Sequence, residues 1–416
     1  MENITKNSCI LDGITLQNAA YAICSHGDTY TERQKLLPIQ LVCLAQLMEA
    51  LVCYDHILTL PSHAEYWMNI AELRSAYENG IIKFIDFSEE LINEIYVYSS
   101  QKVFEYVKSP TFQYFIDSVL DECLEGVILK VAKNYNKLNK HPFNHFLIND
   151  QKKELQNIIQ QSDNLWMEDP SSRVAQVITS LSFGTFCYKD ISTILQIPYS
   201  PFCLRAPISI YDDLRHTNPP IVSSQLAMSL IKGEVITEVN QGLSETFASF
   251  FDIEFPFVLA FALYESKTPK DLFQHTIDIR NSTGAREFRW NVAELEENLR
   301  IGNGPEIVRI AQIIKTQTKN VFNMHTMKTG AKVKLGIAGI SFELPVSVPE
   351  KLASLLIKRK RNTFYYLLLS RLPSLYRIKE DIYRVFDVKF DLHEYAKMMS
   401  FTTDLKSSEI KDKGRP

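Results

Sequence analysis

The stretch Leu36–Tyr54, LLPIQLVCLAQLMEALVCY, decides the fold class of this chain. Its apolar run is too long for an ordinary strand, and only Gln40, Gln46 and Glu49 break it. The less apolar positions 40, 43, 46, 49, 53 and 56 recur every three or four residues, which places them on one narrow stripe of an α-helix. A lipid-facing span rarely carries such a stripe without a partner, so the segment reads as a buried core helix and not a membrane crossing. Thr31, with Gln34 three residues on, has capping-box spacing and sets the start; Pro38 marks a kink or the true start, and the helix is expected to reach about Leu60. A helix apolar on most of its surface must be surrounded by others.

Working outward, helix signals recur. A helix is expected from about Ala64 to Glu78, closed by Asn79-Gly80, and another from Ser88 to about Lys108 with Glu89 and Glu90 in its first turn. Ile81 to Phe87 reads as a strand or a connector. Ser109-Pro110 opens a helix to about Lys137, and the polar segment Asn139 to Asp150 makes a linker. Helices follow near 150–162 and 170–186. From Ile191 to Pro220 five prolines (198, 201, 207, 219 and 220) announce an irregular connection, a functional loop or a domain seam. Helices resume near 222–231 and 241–265. Thr268-Pro269 with Asp271 supplies an N-cap, a first-turn proline and a first-turn acid for a helix that Asn281–Gly284 interrupts. Gly302-Asn303-Gly304 turns it into a return helix. Lys332 to Leu344, KVKLGIAGISFEL, alternates as paired strands do. A last helical group spans 349–400. The reading is a mainly α chain of multi-helix, bundle-like domains with a small β-hairpin near residues 332–344. The expected divisions are 1–140, 150–330 with the proline-rich section 191–220, a basic section 331–405, and a tail 406–416.

Composition agrees. Fourteen glycines in 416 residues are about half the usual share, which suits long helices and disfavours glycine-rich phosphate loops. From Val321 to Pro416, 12 Lys and 6 Arg face 10 acidic residues, which leaves −12 on the first 320 residues of a chain whose net charge is −4. An acidic body with a basic end fits an anionic partner, or docking of that end on its own chain. Seven widely spaced cysteines without a C-x-x-C pair read as reduced thiols, and the opening MENITKNSCILDG lacks a signal peptide's charged and apolar regions, so a cytoplasmic setting without disulfides is expected.

Neither G-x-x-x-x-G-K-[ST], G-x-G-x-x-G nor G-x-S-x-G occurs, and no cofactor or metal is expected; His141 and His145, split by Pro142, make a poor ligand pair. Four constellations remain. Asp55-His56 places a carboxylate beside an imidazole, as a general base would need, or as two helix-terminal residues would. Arg280, Arg286 and Arg289, with Asp278, Glu287 and Trp290, form an anion- or partner-binding candidate, or an internal network with Asp278 and Glu287. Arg205 and Arg215 lie in the proline-rich section among Tyr199, Tyr211, Asp212 and Asp213, as a second such candidate or a solvated loop. Lys358, Arg359, Lys360, Arg361, Arg371 and Arg377, interleaved with aromatic residues, are the nucleic-acid candidates, or the solvated face of an amphipathic helix.

With no common catalytic signature, the function expected is that of a helical interaction protein with a protein partner. Abundant Ile, Asn, Lys, Phe and Tyr point to AT-rich coding of the kind bacterial mobile islands carry, hence a subunit of an anti-phage or toxin-type system. The alternatives are a nucleic-acid-binding protein or nuclease-like effector using the basic section, and an enzyme of an unfamiliar class, such as a nuclease, with its site between the proline-rich section and the arginine segment and Asp212, Asp213 and Glu287 as its clustered carboxylates.

Overall fold

The structure, a computed structural model, describes residues 7–24, 38–121, 146–159, 170–215, 254–301, 303, 305–306, 309–310, 332–337, 340–345, 375–388, 390–391 and 395. Among them are thirteen α-helices and seven short strands, so the chain is mainly α. They fall into two compact units, one drawn from Met1–Phe84 and Ile221–Met399, the other from Ile85–Pro220.

The first unit opens with a small parallel sheet. β1 (Ser8–Leu11) leads into α1 (Gly13–Cys24); α2 (Pro38–Cys53) returns to β2 (His56–Thr59). Short α3 (Ala64–Trp67) and α4 (Ala71–Glu78) then carry the chain to β3 (Ile82–Phe84). β2 is central, with Cys9 opposite Ile57 on one side and Leu58 opposite Lys83 on the other. Thirteen of the sixteen residues of α2 are buried, while Gln40, Gln46 and Glu49 are half-buried, as the stripe required. Each Leu, Ile, Val or Met so placed contributes about 1.5–3 kcal/mol of burial. No helix of the described residues is long and apolar enough to cross a membrane.

The second unit is helical: α5 (Glu89–Val107), α6 (Pro110–Asp121), α7 (Asn149–Ile159), α8 (Pro170–Leu195), the two-residue β4 (Tyr199–Ser200), a 3₁₀ turn (Cys203–Arg205) and α9 (Ala206–Arg215). α5, α6 and α7 pack on α8. Ser88 caps α5 as expected, its hydroxyl accepting from the Leu91 amide at 3.3 Å.

The first unit resumes with β5 (Glu254–Pro256), α10 (Phe257–Glu265), α11 (Pro269–Asn281), α12 (Thr283–Arg300), β6 (Lys332–Ile337), β7 (Ile340–Pro345) and α13 (Leu375–Phe386). β6 and β7 form the antiparallel pair expected near 332–344, and β5 adds to β6 in parallel. Thr268 and Asp271 form a full capping box at the start of α11. α10, α11 and α12 all pack on α2, so the apolar helix is central to this unit.

Four expectations on elements are corrected. The helix of Leu36–Tyr54 stops at Cys53, and His56–Thr59 is a strand; a four-residue apolar run carries no period that separates strand from helix. Ala64 to Glu78 is two helices broken at Met68–Ile70. Glu254–Pro256, expected inside a helix, is a strand. The section Ile191–Pro220 is largely ordered into elements: α8 runs on to Leu195, and α9 accepts Pro207 in its first turn, where a missing amide hydrogen costs nothing. Gln196 closes α8 in the left-handed region (φ 54°), its neighbour Ile197 donating its amide to the Ser192 carbonyl at 3.1 Å. The segments 122–145, 216–253 and 346–374 lie outside the described residues, with the expected linker up to residue 145 and the helix expected near 222–231; Asn149 and Asp150, expected in the linker, open α7.

Candidate functional site

The arginine segment of α11 and α12 is directed at the end of α2. That helix finishes without a glycine, so its last carbonyls need other donors. Arg280 Nη1 donates to the carbonyls of Leu51 and Tyr54, and its Nη2 to that of Asp55 at 2.7 Å. Arg289 Nη1 donates to the carbonyls of Val52 (3.0 Å) and Arg280 (2.8 Å), while its Nε meets Asp55 Oδ1 at 2.9 Å. Both side chains are buried, and two cations at a helix C-terminus face the negative end of its dipole. Burial, then the neighbouring Arg289 charge, pushes Arg280 down to about 10, which leaves it charged at neutral pH. Burial and the Glu49 charge push the Cys53 thiol up.

The same contacts decide Asp55-His56. Asp55 is held by Arg289 and by Asn7, whose Nδ2 donates to Oδ2 at 3.3 Å. His56 Nδ1 lies 2.8 Å from the Gly80 carbonyl. Carboxylate and imidazole are thus engaged with different partners. Asp278 takes a hydrogen bond from Gln274 at 3.0 Å, so the arginines' internal partner is Asp55 and not Asp278. Arg384 of α13 repeats the device on α10, donating Nη2 to the Leu263 carbonyl at 2.7 Å.

In the second unit, Arg205 is buried beside Gly184, with its guanidinium 5.9 Å from the Tyr188 ring. Tyr188 in turn stacks on Tyr199 at 5.3 Å between centroids. Nearby contacts tie α5, α8 and α9 together. Lys102 Nζ reaches Asp190 Oδ1 at 2.7 Å and Asp212 Oδ2 at 3.8 Å; Lys189 Nζ lies 3.7 Å from Asp212 and donates to the Ser209 carbonyl at 2.8 Å. Ser99 donates to Asp190 Oδ2 at 3.1 Å. Burial alone would lower Lys102, but the charges of Asp190 and Asp212 outweigh it and hold the ammonium above its ordinary value. Burial lifts the Asp190 carboxyl, against the pull of Lys102. Two cations and two carboxylates balance, which is the arrangement of a structural ion-pair network. Burial pushes the Cys187 thiol, within this network, up to about 12. Lys102, Lys189 and Asp190 were not singled out in the sequence; nothing short of the helix packing brings positions 102, 190 and 212 together.

Asp12, at the carboxyl end of β1, is another residue the sequence did not single out. That edge is where open α/β sheets place ligands. Here the fully buried carboxylate caps α1, accepting from the Ile14 amide at 3.1 Å. Among the described residues, no group of three or more His, Cys, Asp or Glu could hold a metal ion.

The outward-facing residues differ in kind. Trp290, on the side of α12 away from Arg289, is 59 % exposed, and Arg286 and Glu287 beside it are exposed as well. Tyr98 on α5, Tyr114 on α6 and Tyr383 on α13 also stand in solvent. Arg215 closes α9, and Arg377 falls on α13. Lys358, Arg359, Lys360, Arg361 and Arg371 lie outside the described residues. Asp212 belongs to the second unit and Glu287 to the first. Compared with family models, with curated proteins and with solved structures, the chain matches none.

Proposed function

We propose that this chain is an interaction subunit of a multi-component assembly, whose work is docking and not catalysis. One contrast carries the reading. Among the described residues, the buried charges of Arg280, Arg289, Lys102 and Asp190 are engaged by bonds within the fold, whereas large aromatic side chains are turned outward on helix faces. Tryptophan, tyrosine and arginine dominate the binding energy of protein interfaces, and Trp290 and Arg286 stand exposed on one face of α12. The α12 face, with Trp290 beside Arg286, is the best-placed docking element. The bacterial, anti-phage or toxin-type setting belongs to the same proposal and rests on composition alone.

Native isolation of a tagged chain from its source cells tests the reading. The expected result is a stoichiometric complex containing further chains. A lone chain that turns over nucleic acid or another substrate unaided would overturn it.

A further inference from the structure

The outer face of α12 has a charge pattern that complements itself. At 3.6 residues per turn, Arg286 stands about 40° to one side of Trp290 and Glu287 about 60° to the other. All three are exposed. Arg286 and Glu287 are adjacent in sequence, so they do not face each other on the helix, and neither forms an ion pair with another described residue. The inner side of the same turn is fixed, because Arg289 is bound to Asp55, Val52 and Arg280. The helix therefore presents an exposed indole with one cation on its left and one anion on its right.

Which partner fits such a patch follows from symmetry. A two-fold axis along the helix direction, with two copies of α12 side by side and parallel, exchanges left and right. Arg286 of each copy then faces Glu287 of the other, and the two indoles meet between them. An antiparallel pairing about the indoles would instead leave each charge about 9–12 Å along the axis from its like-charged mate, with no facing pair of opposite sign. From this we infer that the outer face of α12 docks a second copy of this chain, through paired Trp290 rings flanked by two reciprocal Arg286–Glu287 ion pairs. Interfaces of this isologous kind are the commonest in soluble oligomers, and covering each indole, 59 % exposed in the single chain, removes roughly 90–150 Å² from water. The inference rests on the reading of α12 as a docking element.

The full chain, purified alone, tests it by sedimentation at low salt. The wild type is expected at the mass of two chains, and Trp290→Ala at the mass of one, with its helix content and cooperative unfolding retained. Arg286→Glu and Glu287→Arg each place like charges in both pairs and should weaken self-association about tenfold or more. Mixed in equal amounts, these two variants should recover the two-chain mass, because every facing pair is then opposite in sign. A wild type sedimenting as one chain at all concentrations overturns the inference, while the assembly reading still stands on native isolation. So does a two-chain mass retained by Trp290→Ala, or a mixture that stays as single chains.

Discussion

Replacing Gly184 with alanine should destabilise the protein, against the trend for glycines inside helices. Gly184 lies in the interior of α8, where alanine is ordinarily favoured by about 1 kcal/mol. An added Cβ here would fall 2.0 Å from Arg205 Nη2, 2.4 Å from Cζ and 2.8 Å from Nη1. The guanidinium is the far end of a flexible side chain and can swing, so the cost is what it leaves behind. Arg205 is only 5 % exposed and sits 5.9 Å from the Tyr188 ring. Losing a desolvated cation–π contact costs about 1–2 kcal/mol, and the emptied seat adds about 1 kcal/mol as a small cavity. After subtracting the helical gain, Gly184→Ala should lower stability by about 1–2 kcal/mol, read as a lower urea midpoint at an unchanged slope. The control is the same substitution in an Arg205→Ala background. With the guanidinium gone, alanine at 184 should be neutral or stabilise by about 1 kcal/mol. If Gly184→Ala stabilises the wild-type chain, the seating of Arg205 against α8 is refuted.

Other outcomes follow from the same contacts. Arg280→Lys should cost about 2–3 kcal/mol, nearly as much as Arg280→Ala, because a compact ammonium does not serve three carbonyls in the guanidinium's fork geometry; thermal unfolding of the two variants side by side checks this. Thr268→Ala removes the cap of α11 and should cost about 1 kcal/mol in denaturant unfolding. Burial raises Cys187 to about 12, so the folded state holds this proton more tightly than the unfolded chain does. That contribution is full below the ordinary thiol value of 9.0 and is lost as pH rises from there towards about 12. Stability should therefore fall between pH 9 and 11, by up to about 1 kcal/mol per pH unit from this thiol, and Cys187→Ala should flatten the decline. An equally steep decline in that variant would count against the assignment. Cys53, raised in the same direction, should add to the effect.

Elements whose signals are local could be placed from residue order without the fold. Thr268, Pro269 and Asp271 specified the start of α11, Ser88 that of α5, and Asn79-Gly80 the end of α4, where Gly80 takes φ 69°. Each of these rests on a hydrogen bond or a backbone preference within a few residues, so the chain carries the information in one place. The polar stripe of α2 likewise made it a core helix, and alternation from 332 to 344 gave β6 and β7. Of the parallel sheet only β3 was foreshadowed, by the run Ile81–Phe87 read as a strand or a connector; β1, β2 and the pairing were not legible, because four-residue buried strands read as plain apolar runs and pair only across intervening helices. Tertiary structure alone decided what the arginines do. Arg280 and Arg289 meet carbonyls more than 220 positions away in the chain, and no spacing rule links a charge to an acceptor at that separation. Three arginines within ten residues, Arg280, Arg286 and Arg289, look alike in sequence. Packing on α2 turns Arg280 and Arg289 inward as helix caps and leaves Arg286 outside with Trp290.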